Sequence, residues 1–383
     1  MFLFVVALVC INVGAAAQYF NARQNCGLVN NKSLNEASGI SASQRNPHIL
    51  WAHNDSGNKS RIFALNDSAK VVGIYNVKHT ENRDWEDICT GTINGNNYIF
   101  IGDIGDNDAA YDIKTIYRVA EPQVYENQDF IEGEIAGAEK IKFRYPDGKR
   151  DTETLMFDSR TKDIYVVSKR EDSVRLYRLA YPQSTTDTNT AEYVATLPLT
   201  MITGGDISPD GTEILLKNYL FVYYFQRNTG ETISQALTKP PIIISQYIAE
   251  PQGEGICFNA NGTGFFTISE YSDLNIPAQL YYYSRSANTA ADFDNSEYSL
   301  ENIALSSDNE LLYIKFNLPL PADIEIAVTD IAGRIIMSEK CFDLTREKQE
   351  IIIPKNKLPC GTYQICLLSG KVPEKSFLLN VLR

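Results

Sequence analysis

The chain is poor in the residues that mark thiol-metal and nucleic-acid chemistry. It has three histidines, and its seven cysteines form no C-x-x-C pair. This argues against a zinc site. Bases are also scarce, with 35 lysines and arginines against 48 aspartates and glutamates, a net charge of −13. That balance argues against nucleic acid as a partner, because phosphates demand a basic face. It suits a cation, or a ligand reached through a bound cation.

Long apolar runs are missing after the first 17 residues. Residues 1–17, MFLFVVALVCINVGAAA, carry no charge and end in three alanines. This pattern predicts a secretory signal peptide, with the mature chain starting at Gln18. Because long apolar runs are missing after residue 17, we predict no transmembrane segment in the mature chain. A membrane anchor retained at residues 1–17 is the alternative.

An oxidising destination would permit disulfides among the remaining cysteines. Cys341 paired with Cys360 or Cys366 is one reading, and buried free thiols are the other.

The chain contains a five-fold internal repeat. Its copies open with EASGI (36–40), DWEDI (84–88), DTETL (151–155), TGGDI (203–207) and QGEGI (252–256). Each opening strand is followed by a strongly apolar second strand and an aromatic third strand. Short strands repeating about every 50 residues are typical of propeller blades. The sequence predicts an all-β chain with a five-bladed β-propeller over residues 18–285.

Other segments complete the predicted organisation. The fifth copy lacks a fourth strand, which segment 20–34 could supply. A six-bladed ring is the alternative and would need a divergent blade between Asn107 and Asp151. Residues 286–300 are polar and predict a linker. Residues 301–383 contain alternating strands and predict a small Ig-like β-sandwich.

Acids recur at the start of the first strand, which lines the channel of a propeller. Convergence at one channel mouth would make these carboxylates repel unless a cation bridges them. Ca²⁺ suits several carboxylates from different blades. We predict metal ligands at Glu36, Glu86, Glu153, Asp206 and Glu254. Structural bracing alone and a catalytic constellation remain alternatives.

The ends of the second strands reach the same face. A ligand-binding face is predicted from Asn54, Asp103, Asp106, Asn107, Asn218 and Glu270. Weak catalytic candidates are His53, Asp55, Lys169 and Arg170, and a structural role for His53 is the alternative. The predicted function is a module that binds a polar ligand, glycan or protein. The alternative is a metal-dependent hydrolase of phosphate esters or related anions.

Residues 36–285 resemble a family of uncharacterised secreted bacterial propeller proteins. The resemblance rests on EASGI, LWAHNDSG, DWEDI, YIFIGDIGDN, DTETLMFD, TGGDISPDG and QGEGICF. The segment is distantly similar to the esterase-like phytase and SdiA-regulated propellers. Calcium-activated apyrases use a five-bladed ring with a central calcium, and that analogy places Ser38, Glu86, Glu153 and Glu254 at the metal. None of these similarities implies a particular activity.

The C-terminal segment resembles the type IX secretion sorting domain of Bacteroidetes. The matching positions are Asp330, Gly333, Arg334, Leu358, Gly361 and Tyr363. The resemblance implies export by the type IX machinery of a Gram-negative bacterium, with the protein secreted or held at the outer-membrane surface. An ordinary Ig-like accessory domain is the alternative.

Overall fold

The computed structural model describes residues 19–271, 277–286, 301–307, 311–318, 322–331, 333–344, 348–369 and 372–381. The predicted signal peptide and residues 287–300 of the predicted linker lie outside these ranges. Within them, no helix has the length and apolar character needed to cross a bilayer.

The regular secondary structure of the described residues is almost entirely β-strand, which confirms the all-β prediction. Strands β1 to β10 are Gln24–Leu28, Ala37–Ala42, Ile49–Asn54, Arg61–Asn66, Val71–Val77, Trp85–Ile93, Asn96–Asp103, Lys114–Ala120, Ile131–Ile135 and Glu139–Arg144. Strands β11 to β19 are Thr152–Phe157, Ile164–Ser168, Arg175–Leu179, Asn189–Thr190, Glu192–Thr196, Ile202–Ile207, Glu213–Asn218, Val222–Gln226 and Ile242–Ile243. The short helix α1 is Ile233–Leu237 and precedes β19. Strands β20 to β29 are Gly253–Phe258, Gly264–Ser269, Gln279–Ser284, Glu301–Ser307, Leu311–Asn317, Ala322–Asp330, Ile335–Leu344, Lys348–Pro354, Gly361–Ser369 and Val372–Val381.

The strands of the described residues up to 286 form five sheets. Their strand orders are β2-β3-β4-β5-β9, β14-β10-β8-β7-β6, β11-β12-β13-β15, β16-β17-β18-β19 and β1-β22-β21-β20. We call these sheets one to five. The first strand of each repeat (β2, β6, β11, β16 and β20) contacts the first strands of both neighbouring sheets, and β20 contacts β2. The five sheets therefore adjoin one another in a closed order.

Apolar side chains fill the spaces between neighbouring sheets. One core cluster joins sheets one and two, and similar clusters join two to three, three to four, four to five, and five to one. This packing explains why the second strands are apolar on both faces: β3 and β12 are buried along their whole length. Burial on both faces removes the polar alternation seen in a half-exposed strand.

The ends of the repeat region close on each other. Strand β1 pairs antiparallel with β22, which confirms the prediction that the N-terminal segment completes the fifth sheet. The long interval between Asn107 and Asp151 adds strands to existing sheets. Its strands β8 and β10 belong to sheet two, whereas β9 pairs parallel with β5 of sheet one.

Residues 301–381 form two further antiparallel sheets, ordered β23-β24-β27 and β26-β25-β28-β29. One apolar cluster joins them and includes Ile314, Ile326, Ile353 and Ile365. Cys341, Cys360 and Cys366 are free thiols, so neither predicted disulfide is formed. Of the buried free thiols that the alternative describes, only Cys366 is buried; Cys341 is partly exposed and Cys360 is exposed.

Candidate functional site: an acid mouth at the start of the first strands

The first strand of each repeat (β2, β6, β11, β16 and β20) carries a β-bulge near its start. In each strand the register shifts across one residue that has no partner on the second strand. These unpaired residues are Ser38, Glu86, Glu153, Thr203 and Glu254, and all are buried. A bulge bends a strand and re-aims one side chain. The five bulges therefore place one equivalent side chain from each sheet at the same level.

The bulges change the alignment of the fourth copy by two residues. Thr203 is the structural equivalent of Glu86, and Asp206 lies three residues further along the strand. The Asp206 carboxylate accepts hydrogen bonds from the backbone N–H groups of Ile207 (2.8 Å) and Phe258 (2.9 Å). Burial raises the pKa of Asp206 to about 7, although these bonds oppose the shift. Asp206 thus joins sheets four and five, as the bracing alternative describes.

A second set of equivalent residues follows directly after the second strands. These residues are Asp55, Ile104, Lys169, Tyr219 and Glu270. Two of these residues, Asp55 and Glu270, carry carboxylates. Together with Asp84, Asp151 and the three bulge glutamates they form what we call the acid mouth: Asp55, Asp84, Glu86, Asp151, Glu153, Glu254 and Glu270. The mouth therefore combines side chains from sheets one, two, three and five.

Lys169 is a buried lysine that lies among the carboxylates of the acid mouth. Its ammonium forms an ion pair with Glu153 and lies 3.2 Å from the hydroxyl of Tyr219. Tyr219 in turn donates a 2.5 Å hydrogen bond to Glu254. Burial alone would lower the pKa of Lys169, but the surrounding glutamates, including Glu86, outweigh it and raise that pKa. Three carboxylates around one ammonium still leave two negative charges when all are ionised.

One group of acids lacks such a partner. Oxygen atoms of Asp55, Asp84 and Glu86 lie within 4.8 Å of one another. In the part of the chain that the structure describes, no lysine or arginine nitrogen comes within 4.0 Å of these carboxylates. Burial, followed by Glu254, raises the pKa of Asp55 to about 7. Burial and Glu153 raise that of Glu86 well above its ordinary value.

In a second group, two of the three acids already have a basic partner. Glu86, Asp151 and Glu153 also place oxygen atoms within 4.8 Å of one another. However, Arg170 Nε donates to Asp151 Oδ2 at 2.6 Å, and Lys169 pairs with Glu153. The unpaired group of Asp55, Asp84 and Glu86 is therefore the better candidate cation site.

A glycine lines this candidate site. A Cβ at Gly105 would lie 2.5 Å from Asp84 Oδ2 and would collide with Glu86 Oε1. The Gly105 backbone therefore packs directly against both carboxylates, and a side chain at this position would displace them.

The remaining predicted metal residue and one ligand-face acid flank the group. Glu36 accepts a hydrogen bond from Asn58 Nδ2 at 2.5 Å. Glu270 belongs to the acid mouth, where burial, Glu254 and Asp55 raise its pKa to about 9. Both residues are partly exposed.

Two predicted ligand-face amides serve the local backbone instead. Asn54 Nδ2 donates to Ser33 O at 2.7 Å. Asn218 Oδ1 accepts the N–H groups of Leu220 and Phe221, which closes the turn after β17. Such bonds are the usual role of asparagine in turns.

The predicted ligand-face residues of the loop at 102–108 (GDIGDND) also bond to other protein groups. Asp103 accepts the backbone N–H of Asp84 at 2.8 Å, and burial raises the pKa of Asp103. Asp106 pairs with the buried Lys114 at 2.7 Å. Burial would raise the pKa of Asp106, but the bonds it accepts outweigh burial and lower it. Asn107 is exposed and accepts a hydrogen bond from Arg170.

His53 is fully buried and does not reach the acid mouth. Its Nδ1 lies 2.9 Å from the carbonyl of Asn54, and its ring packs edge-on against Trp85. Burial lowers its pKa to about 4, so the ring is neutral at pH 7. These contacts favour the structural alternative for this histidine.

The sequence predictions missed Asp84 and Asp151 as site members and gave no role to Thr203, Tyr219 or Gly105. Asp84 and Asp151 each stand two residues before a bulge glutamate, which was the available signal. The role of Tyr219 depends on contacts between sheets, and that of Gly105 on the close approach of the loop after β7 to the start of β6. Neither role has a sequence signature.

Compared with known protein families the chain matches no family model, and no curated protein matches it in sequence.

Proposed function

We propose that residues 18–285 form a five-bladed β-propeller that binds a ligand, with Ca²⁺ held at its acid mouth by Asp55, Asp84 and Glu86. The five sheets in closed order and the pairing of β1 with the last sheet support the propeller. The observation that carries the cation is the group of three clustered acids that, among the described residues, have no lysine or arginine nitrogen within 4.0 Å. Buried carboxylates repel one another unless they are protonated. A divalent cation at this group would offset that repulsion while the carboxylates stay ionised.

Calcium suits this group better than a transition metal. The ligand atoms are all carboxylate oxygens, and Ca²⁺ accepts six to eight oxygen ligands with tolerant geometry. Waters and the ligand itself would complete the shell. Transition metals favour imidazole and thiolate, and among the described residues no histidine or cysteine belongs to this group.

No specific contact favours the hydrolase alternative. It would require Lys169 or Arg170 to steady a substrate anion, and both are held by carboxylates. We further propose that residues 301–383 are an Ig-like sandwich that directs type IX export to the cell surface. That part rests on the sequence resemblance and the predicted signal peptide.

Thermal melting of the full chain in EDTA, and again with Ca²⁺ added, tests the cation site. A ligand bound only by the native state stabilises it by about 2.7 kcal/mol at 100 times its dissociation constant. We expect Ca²⁺ to raise the melting temperature by several degrees. Asp84→Asn should abolish this rise, whereas Asp108→Asn at a nearby exposed position should keep it. No change in the native chain with Ca²⁺ or Mg²⁺ would reject the proposed cation.

Gly105→Ala should also abolish the Ca²⁺ effect. The added methyl group would collide with the carboxylates of Asp84 and Glu86 and displace both proposed ligands. Gly95→Ala is the matched control for glycine loss, because a Cβ there meets no atom within 4 Å, although its φ of +82° adds strain. Isothermal titration with Ca²⁺ measures both variants. Unchanged Ca²⁺ affinity in Gly105→Ala would place the cation elsewhere.

A further inference from the structure

The two central strands of the four-stranded C-terminal sheet, β25 and β28, are buried on both faces over residues 324–329 and 363–368. Side chains alternate between the faces of a strand, and Ile326 and Val328 of β25 point into the core shared with β24 and β27. The opposite face would be solvated in an isolated two-sheet domain. Instead Ala327 and Leu368 are 0% exposed and Cys366 is 3% exposed.

The second face packs against sheets four and five near the acid mouth. Cys366 Sγ lies 3.4 Å from the carbonyl oxygen of Ala249. We call this contact the seam; it is lined by Tyr219, Glu250, Pro251, Gln252, Ala327, Thr329, Gly333, Gln364 and Cys366. At the turn after β25, Gly333 has φ +74°, and a Cβ there would lie 2.7 Å from Tyr219 Cδ1. The backbone of that turn therefore rests directly on the tyrosine ring.

Tyr219 connects the seam to the acid mouth. On one side its ring meets Gly333, and on the other its hydroxyl bridges Lys169 and Glu254. Tyr219 is only 4% exposed. Whatever covers the tyrosine therefore also covers the Lys169 and Glu254 side of the mouth.

We propose that the C-terminal domain is a lid, docked through Ala327, Gly333 and Cys366 onto Tyr219, that limits access to the acid mouth. The proposal rests on the proposed function only for the identity of what enters. Separation of the lid would expose Tyr219 and open the mouth from the side of sheets four and five. Asp55 and Glu270 remain partly exposed while the lid is docked.

The composition of the seam fits a contact that can open. Glu250 Oε2 and Gln252 Oε1 are buried and have no hydrogen-bond partner among the described atoms. A buried polar atom without a partner destabilises the closed state, and water would satisfy both atoms after separation. Contacts between domains are also generally weaker than a domain core.

Cys366 supplies a direct readout of opening. In a background where Cys10, Cys26, Cys341 and Cys360 are serine, its reaction with a maleimide reports exposure of the seam. Cys89 and Cys257 are buried within the sheets and serve as internal references. Burial raises the pKa of Cys366 to about 12, which further suppresses its reaction while docked.

Ala327→Arg places a long charged side chain in the seam while leaving the β24–β25 core intact. Ile352→Arg, at an exposed position of β27, is the matched control. In the full chain, we expect Ala327→Arg to speed Cys366 labelling at least about tenfold, as expected for opening of a protected site. Hydroxyl-radical oxidation of Tyr219 and the association rate of Tb³⁺, a luminescent substitute for Ca²⁺, should both rise by about tenfold. Ile352→Arg should change none of the three.

The outcomes separate the two proposals. Exposure of Cys366 without greater oxidation of Tyr219 would overturn the lid, because the domain could then leave without uncovering the mouth. Gly333→Trp is a second variant that places a large side chain in the seam. If Cys366 stays protected in both Ala327→Arg and Gly333→Trp, the lid proposal is also overturned, because the domains then do not separate. If Tb³⁺ binds neither protein while Tyr219 becomes exposed, the lid stands and the cation proposal fails. An unchanged Tb³⁺ association rate with Tyr219 exposed would show that the lid does not limit entry.

Discussion

Replacing Lys169 by methionine is expected to lower the free energy of unfolding by about 3–5 kcal/mol, the cost of breaking a buried ion pair from one side. Methionine keeps most of the side-chain volume but removes the charge. Glu153 would then lose its ion-pair partner, and Glu254 and Glu86 would lose the nearest positive charge. Chemical denaturation in EDTA at pH 7 measures this loss.

Two comparisons make the Lys169 result specific. Lys149→Met, at an exposed position of the neighbouring loop, should cost far less because exposed charges contribute little. Ca²⁺ should restore part of the stability of Lys169→Met, since a cation can replace the missing ammonium. A loss below about 1 kcal/mol would mean that the glutamates are protonated and need no counter-charge.

Stability in EDTA is expected to fall by several kcal/mol as the pH rises from 5 to 9, because each unit of pKa shift corresponds to about 1.4 kcal/mol. Burial first, and neighbouring acids second, raise the pKa of Asp55 to about 7 and that of Glu270 to about 9; burial raises that of Asp206 to about 7. An acid whose pKa is higher in the folded state binds more protons there than in the unfolded chain. Its stabilisation is full below the unfolded pKa and is lost as the pH passes the folded value.

Urea unfolding at a series of pH values measures this profile. Glu270→Gln should flatten it above pH 7, whereas Glu132→Gln at an exposed position should leave it unchanged. Saturating Ca²⁺ should flatten the profile through the acids that it binds. A native profile that is already flat in EDTA would contradict the raised pKa values and, with them, the repulsion that motivates the cation.

Alignment of the repeats by their apolar residues misassigned the fourth copy's position in the ring of bulge residues. Matching the apolar residue Ile207 to Ile88 set Gly205 and Asp206 beside Glu86, whereas the bulge makes Thr203 its equivalent. A bulge adds one residue to one strand of a pair, so its position depends on hydrogen bonds to the neighbouring strand. A local pattern of apolar residues does not contain that information.

The sequence by itself determined the strands of the repeat region, because short apolar runs, the turns between them and the recurring acids and aromatics are local properties of the chain. It also placed Glu86, Glu153 and Glu254 in equivalent positions and identified the segment that completes the fifth sheet. The tertiary structure decided which carboxylates have a base, since Lys169 and Arg170, directly after β12, meet Glu153 and Asp151 where the paired strand β11 begins. It alone placed the C-terminal sheet on Tyr219, because the mixed second face of β25 (Glu325, Ala327 and Thr329) carries no local pattern that names the surface it packs against.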